Sequence, residues 1–102
     1  MIERRLIVKA HLGLHARAAA KLVRLASGFQ SKVMLRRVDG GLSATSEAGV
    51  DAKSILSVLM LAATCGTQLE ARVEGIDEET AMNAIDELFA EGFGEIELGR
   101  AK

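Results

Sequence analysis

Three stretches of the chain alternate apolar and polar residues. In 67–74, Leu69, Ala71 and Val73 alternate with Gln68, Glu70, Arg72 and Glu74. In 32–38, Val33 and Leu35 fall on one side and Lys32, Met34 and Arg36 on the other. In 4–10, Leu6, Val8 and Ala10 oppose Arg5, Ile7 and Lys9. A period of two predicts strands with one dry and one wet face, as in an antiparallel sheet covered on one side. Two other stretches carry the helical period. In 16–28, Ala19, Leu22, Val23 and Ala26 form a stripe, and Gly28 can end the helix. In 78–91 the stripe is Ala81, Ile85, Leu88 and Phe89; Asp77 stands where an N-cap is wanted, and Glu78 and Glu79 suit the positive end of the helix dipole.

A third helix is expected after Ser54, but Ile55, Leu56, Val58, Leu59, Met60, Leu61, Ala62 and Ala63 are apolar on every face. Such a helix either lies deep or keeps an apolar side for a partner. Residues 39–52 are less regular. Gly40-Gly41 can turn a hairpin, and 42–45 and 50–52 are weak strand pieces, so a short, irregular strand is expected here. The order strand, helix, two strands, helix, strand, helix makes a two-layer sandwich of sheet and helices. The segment 94–102 is expected to be a loose tail after a single domain over 1–93.

Composition narrows the function classes. With 49% hydrophobic and 26% charged residues, the 102-residue chain has enough apolar material to fold. A net charge of -1 and only three aromatic residues, all Phe, argue against nucleic-acid binding by phosphate neutralisation or base stacking. One cysteine, Cys65, excludes an internal disulfide and a multi-cysteine zinc site, and is expected to be a small packing residue. No apolar run is long enough to span a bilayer, and the start lacks a secretory pattern, so a cytoplasmic protein without membrane insertion is expected. His11 and His15 are four apart, but Gly13 between them and the want of further ligands speak against metal.

The candidate chemistry lies in Gly13-Leu14-His15-Ala16-Arg17, between the first strand and the first helix. A helix beginning at Ala16 presents backbone N–H groups that have no intrahelical acceptor, which makes an anion site. Arg17 is badly placed for the helix dipole unless an anion visits. The same dipole disfavours imidazolium and keeps His15 neutral and nucleophilic. A phosphoryl group on that ring would gain about 0.3–1 kcal/mol from the helix terminus and about 1.5–3 kcal/mol from each charged hydrogen bond. That suffices to hold the group without trapping it. On these residues alone, a polar surface histidine is the plainer reading.

Gly13-Leu14-His15-Ala16-Arg17 resembles the active-site motif of HPr, the histidine-containing phosphocarrier of the bacterial phosphoenolpyruvate-dependent phosphotransferase system. The resemblance continues through Ala19-Ala20, Gly28-Phe29 and Ser31, then Ala52-Lys53-Ser54-Ile55, Leu61, Gly66 and Glu74-Gly75-Ile76-Asp77-Glu78. Residues 88–93 look more like the nitrogen-related branch and 53–55 more like the sugar-related branch. The family implies an α+β open-faced sandwich, a four-stranded antiparallel sheet with three helices on one face in the order βαββαβα. It implies a stoichiometric carrier rather than an enzyme, needing no cofactor and acting as a monomer. His15 would take phosphate on Nδ1 from phospho-Enzyme I and pass it to an A-domain acceptor, with Ala16 and Arg17 binding the phosphate. Ile55, Leu56 and Leu59 would form the docking patch, and Arg24 would meet acidic partners. Ser54 matches a serine that a regulatory kinase phosphorylates in some branches, with a phosphorylase to reverse it, although a helix N-cap explains it equally well. The competing function is a regulatory interaction module acting through protein binding and Ser54. Ala18 stands where the family has proline, which at the first helical position pre-sets φ. Its loss should cost about 0.4–1 kcal/mol.

Overall fold

The computed structural model describes residues 1–38 and 49–94. The three alternating stretches become β1 (Ile2–Ile7), β2 (Lys32–Arg37) and β4 (Gln68–Glu74), and a two-residue strand, β3 (Val50–Asp51), joins them. All pairs are antiparallel and the order is β1-β4-β2-β3. Leu6 pairs with Leu69, Leu35 with Ala71 and Val33 with Val73, so the small and branched residues share one face. On the open face the wet residues pair by charge: Arg72 donates to Glu3 at 2.9 Å and Arg36 to Glu70 at 2.8 Å. The Arg72–Glu3 pair is exposed and the Arg36–Glu70 pair partly buried; a surface pair typically contributes about 0–1 kcal/mol.

The helices α1 (Ala16–Ser27), α2 (Ile55–Leu59) and α3 (Glu78–Ala90) make the second layer, the open-faced sandwich expected from the sequence. α1 packs against both α2 and α3, and α3 lies along β1 and β4. The stripe residues Ala19, Leu22 and Ala26 of α1 and Ala81, Ile85 and Phe89 of α3 are buried, together with Ala18 and Met82. Val23 and Leu88 are half-buried at the margins. Burying a Leu, Ile or Phe side chain is worth about 1.5–3 kcal/mol, so this shared core holds the layers together. Gly28 caps α1 by donating to the carbonyls of Ala26 and Leu25.

Four expectations are corrected. The first strand lies earlier than 4–10, starting at Ile2; beyond Ile7 the ladder stops, though Val8 N–H still reaches Thr67 O at 2.9 Å. The apolar helix after Ser54 is five residues long, not a run to Ala63. Its last turn tightens (Leu61 N–H to Val58 O, Ala62 N–H to Leu59 O), and Ala62 takes φ 50°. Arg37 on β2 takes up the carbonyls just past that end, donating from Nη1 to Leu61 O at 3.1 Å and Ala62 O at 3.2 Å. Asp77 precedes α3 but does not cap it with its side chain. Its carboxylate instead accepts from the N–H groups of Gln30 and Ser31 at 2.9 Å each and from the Ser31 hydroxyl, tying the α1–β2 turn to α3. Finally, Cys65 is exposed in a turn rather than packed.

The weak strand piece 42–45 and the Gly40-Gly41 turn lie outside the described residues, as does the segment 95–102. Gly94 belongs to a closing 3-10 turn (Gly92–Gly94) with its N–H on Glu91 O at 3.1 Å. That turn buries Phe93 edge-on against Phe89, with ring centroids 4.9 Å apart.

Candidate functional site

The loop between β1 and α1 is held from below. Gly13 takes φ +74°, and a Cβ there would stand 2.6 Å from Ala63 O and 2.9 Å from Thr64 Cα. Only glycine permits that backbone sign and that approach at little cost. Leu14 is buried and donates its N–H to Ala63 O at 2.9 Å. Gly66 N–H bonds Val8 O at 2.7 Å on the same side. The loop leading to His15 is therefore clamped to the segment that follows α2.

Clamping delivers His15 to the start of α1 as its N-cap, with φ -79° and ψ -176°. Its carbonyl accepts the Ala19 N–H at 2.8 Å, the first bond of the helix. Its ring then folds over the end: Nδ1 accepts the Arg17 N–H at 3.2 Å. A nitrogen that accepts carries its lone pair in the ring plane and no proton, so the proton of the neutral ring sits on Nε2. The free electron pair of the ring thus faces the amide of Arg17 at the start of α1.

The electrostatics of that end are unusual. The first turn of α1 contains no acid. The amides of Ala16, Arg17 and Ala18 precede the first residue that can bond within the helix. Arg17 is exposed and adds a cation, and Ala16 is exposed beside it. His15 itself is half-buried, open on one side. An anion bonded to Nδ1 would meet the partial positive charge of the helix terminus and the guanidinium. Ala18 is the third helical residue rather than the first, and it is fully buried.

The other site residues from the sequence fall on the neighbouring surface. Ser54 is the N-cap of α2, its hydroxyl accepting the Ser57 N–H at 3.3 Å. Ile55 and Leu56 are 44% and 72% exposed, so the apolar helix does keep an uncovered side. Leu59 is turned partly into the core, and Met60, at 63% exposed, stands out instead. Arg24 is exposed on α1. Reading the sequence missed Met60 and also Leu12, 68% exposed on the loop carrying His15. A large apolar residue inside a polar turn was the available signal for Leu12. His11 is exposed in the same turn, and among the described residues no three His, Cys, Asp or Glu side chains gather as a metal site. No helix among them is long and apolar enough to cross a membrane.

A family model described as the PTS HPr component phosphorylation site matches residues 2–91. The chain belongs to the HPr family. Phosphocarrier protein HPr of Xylella fastidiosa strain 9a5c is 48% identical over 95 residues, 93% of this chain and 98% of that protein. Phosphocarrier protein NPr of Proteus mirabilis strain HI4320 is 41% identical over 92 residues, covering 90% and 94%. The crystal structure of HPr-C-His from Thermoanaerobacter tengcongensis superposes with a TM-score of 0.79 at 34% identity, covering 93% of this chain and 98% of that one. HPr and NPr are phosphocarriers of the phosphotransferase system, and this chain is a phosphocarrier of that family.

Proposed function

We propose that His15 accepts a phosphoryl group on Nδ1 from phospho-Enzyme I and passes it to an A-domain acceptor of the phosphotransferase system. The observation that supports this most is the Arg17 N–H donated to His15 Nδ1. That bond sets the tautomer in which Nδ1 holds the free electron pair. In the transfer a P–N bond to the donor's histidine breaks, its electron pair returns to the donor ring, and a P–N bond to Nδ1 forms. The Nε2 proton stays in place. As phosphorus takes the Nδ1 lone pair, the Arg17 amide loses its acceptor and turns to a phosphoryl oxygen. The amides of Ala16 and Ala18 belong to the same helix start, and Arg17 is exposed beside them. Each charged hydrogen bond contributes about 1.5–3 kcal/mol, which makes the bound state reversible rather than permanent.

Docking falls to the exposed side of α2, with Ile55 and Leu56 outermost and Leu59 at its base, and to Arg24 for acidic partners. Contacts of this brief kind bury below about 1,200 Å². A phosphate on Ser54 would put about −1.5 to −2 charges at the edge of that patch and weaken docking to an acidic Enzyme I surface. Ser54→Asp should therefore slow transfer, and an unchanged rate would sink the regulatory role.

The central test is incubation with phosphoenolpyruvate and Enzyme I. One acid-labile, alkali-stable phosphate per chain is expected, and nitrogen-15 NMR of the ring should place it on Nδ1. His15→Ala should abolish incorporation completely. Phosphate retained by that variant, or found on Nε2, would overturn the assignment.

A further inference from the structure

The alternation of β2 sends Val33 and Leu35 into the core, and position 37 is next on the same side of the strand. Its register partner, Leu69, is buried as well. An apolar residue is expected at such a position. Arg37 stands there instead, half-buried. From one nitrogen, Nη1, it donates to two successive carbonyls, Leu61 O at 3.1 Å and Ala62 O at 3.2 Å. Both belong to the short stretch of chain that leads from α2 to Ala63.

That stretch is strained. Ala62 takes φ 50°, in the left-handed region, where a Cβ is unfavourable. A residue other than glycine stays there only where its surroundings hold it. The carbonyls of Leu61 and Ala62 belong to the two peptide groups joined at the Ala62 Cα. One cation therefore fixes the twist between them. The next carbonyl, Ala63 O, accepts the Leu14 N–H at 2.9 Å and lies against Gly13. Leu14 precedes His15, whose Nδ1 accepts the Arg17 N–H at 3.2 Å. A continuous line of bonded groups thus runs from Arg37 through 61–63 to the loop of His15.

We infer that Arg37 is a positioning residue of the phosphoryl relay: it keeps Ala62 left-handed and so sets Ala63 O beneath the loop that presents His15. The inference rests on the proposed function in one respect, that His15 is the ring whose place matters. Arg37 acts through the backbone and makes no bond to phosphorus. The same stretch is continuous with α2, so the contact also sets the ring's place relative to the exposed Ile55 and Leu56.

Amide NMR on the unphosphorylated full chain reads the contact first. Arg37→Met keeps an apolar stem and removes the donors. It should move the Arg17 amide proton, whose partner is the ring, toward the value of an unbonded amide. The amides of Ala71 and Val73 should stay put and report an intact fold. Arg37→Lys, which retains one cationic nitrogen, should fall between wild type and Arg37→Met. Glycine takes a positive φ readily, so adding Ala62→Gly to Arg37→Met should restore the Arg17 amide, a recovery that a role in general packing does not give. An Arg17 amide that keeps its place in a folded Arg37→Met, or stays displaced in the double variant, overturns the inference. Should Arg37→Met fail to fold, Arg37→Lys decides in the same way: an unmoved Arg17 amide overturns the inference. With this chain as the substrate of Enzyme I, Arg37→Met should lower kcat about tenfold and leave KM within about twofold, since a misplacement of about 1 Å costs up to about 100-fold. A loss confined to KM also overturns the inference. A wild-type chain that takes no phosphate fails the proposed function instead, and the amide readout, which uses no donor, keeps the two results apart.

Discussion

The two long helices of this domain begin in opposite ways. α3 starts with Glu78 and Glu79 in its first turn. Glu78 accepts the Gly75 N–H at 3.1 Å and also meets the N-terminal ammonium at 3.1 Å. Its helix dipole is answered from within the chain. α1 starts with no acid, an arginine in its first turn and, among the described residues, a histidine ring as its side-chain cap. Negative charge at a helix start is stabilising, so its omission from α1 costs stability that α3 keeps. On the proposed function the difference has a reason: α3 carries its own negative charge, and α1 would take that of the phosphoryl group.

That contrast can be broken in three ways. The largest effect is expected from the support beneath α1. Gly13→Ala puts a Cβ against Ala63 O at a positive φ and should destabilise the fold by about 2–4 kcal/mol, read by chemical denaturation. Giving α1 the charge that α3 has comes next. Ala16→Glu should raise stability by about 0.3–1 kcal/mol and yet slow phosphoryl transfer. An acid about 6 Å from a doubly charged phosphoryl group in water costs about 1.4 kcal/mol, or about tenfold in rate. Opposite signs in the two assays are the signature; a faster transfer would refute that reason. The smallest effect concerns pH. Hydrogen bonds from the Ser31 hydroxyl and the Gln30 N–H hold the Asp77 carboxyl below its ordinary value, and the Gly75 N–H and the N-terminus do the same for Glu78. A carboxyl depressed in the folded state binds protons less readily than in the unfolded chain. Its contribution is present above the unfolded value, near 3.8 for Asp77, and disappears as pH falls through the lower folded value. The melting temperature should therefore drop on acidification below about pH 4, and Asp77→Asn should flatten that limb while leaving α1 chemistry alone.

The sheet and the long helices were legible because each buries one face only, so period two and period 3.6 stand out plainly. The His15 loop was legible in kind, since glycine, histidine and a helix start lie within a few residues. Its support was not. Gly13 meets Ala63, Asp77 meets Ser31 and Arg37 meets Leu61, all pairs distant in sequence. An apolar run such as 55–63 has no period to reveal that the helix ends at Leu59 and that Arg37 bonds the carbonyls beyond it. Asp77 has the residue type and position of a cap, and only the fold shows that the α1–β2 turn claims its carboxylate first. Cys65 gave no local sign of whether its turn would face solvent.

The amide of Leu14, pinned to Ala63 O, joins the loop of His15 to the segment that descends from α2. One proton thus sits at the seam between the ring proposed to carry the phosphoryl group and the surface proposed to receive partners. Its exchange with deuterated solvent is a clock for that seam. A partner that pries the α2 side loose would quicken it, and one that presses the two together would slow it, before any phosphorus has moved.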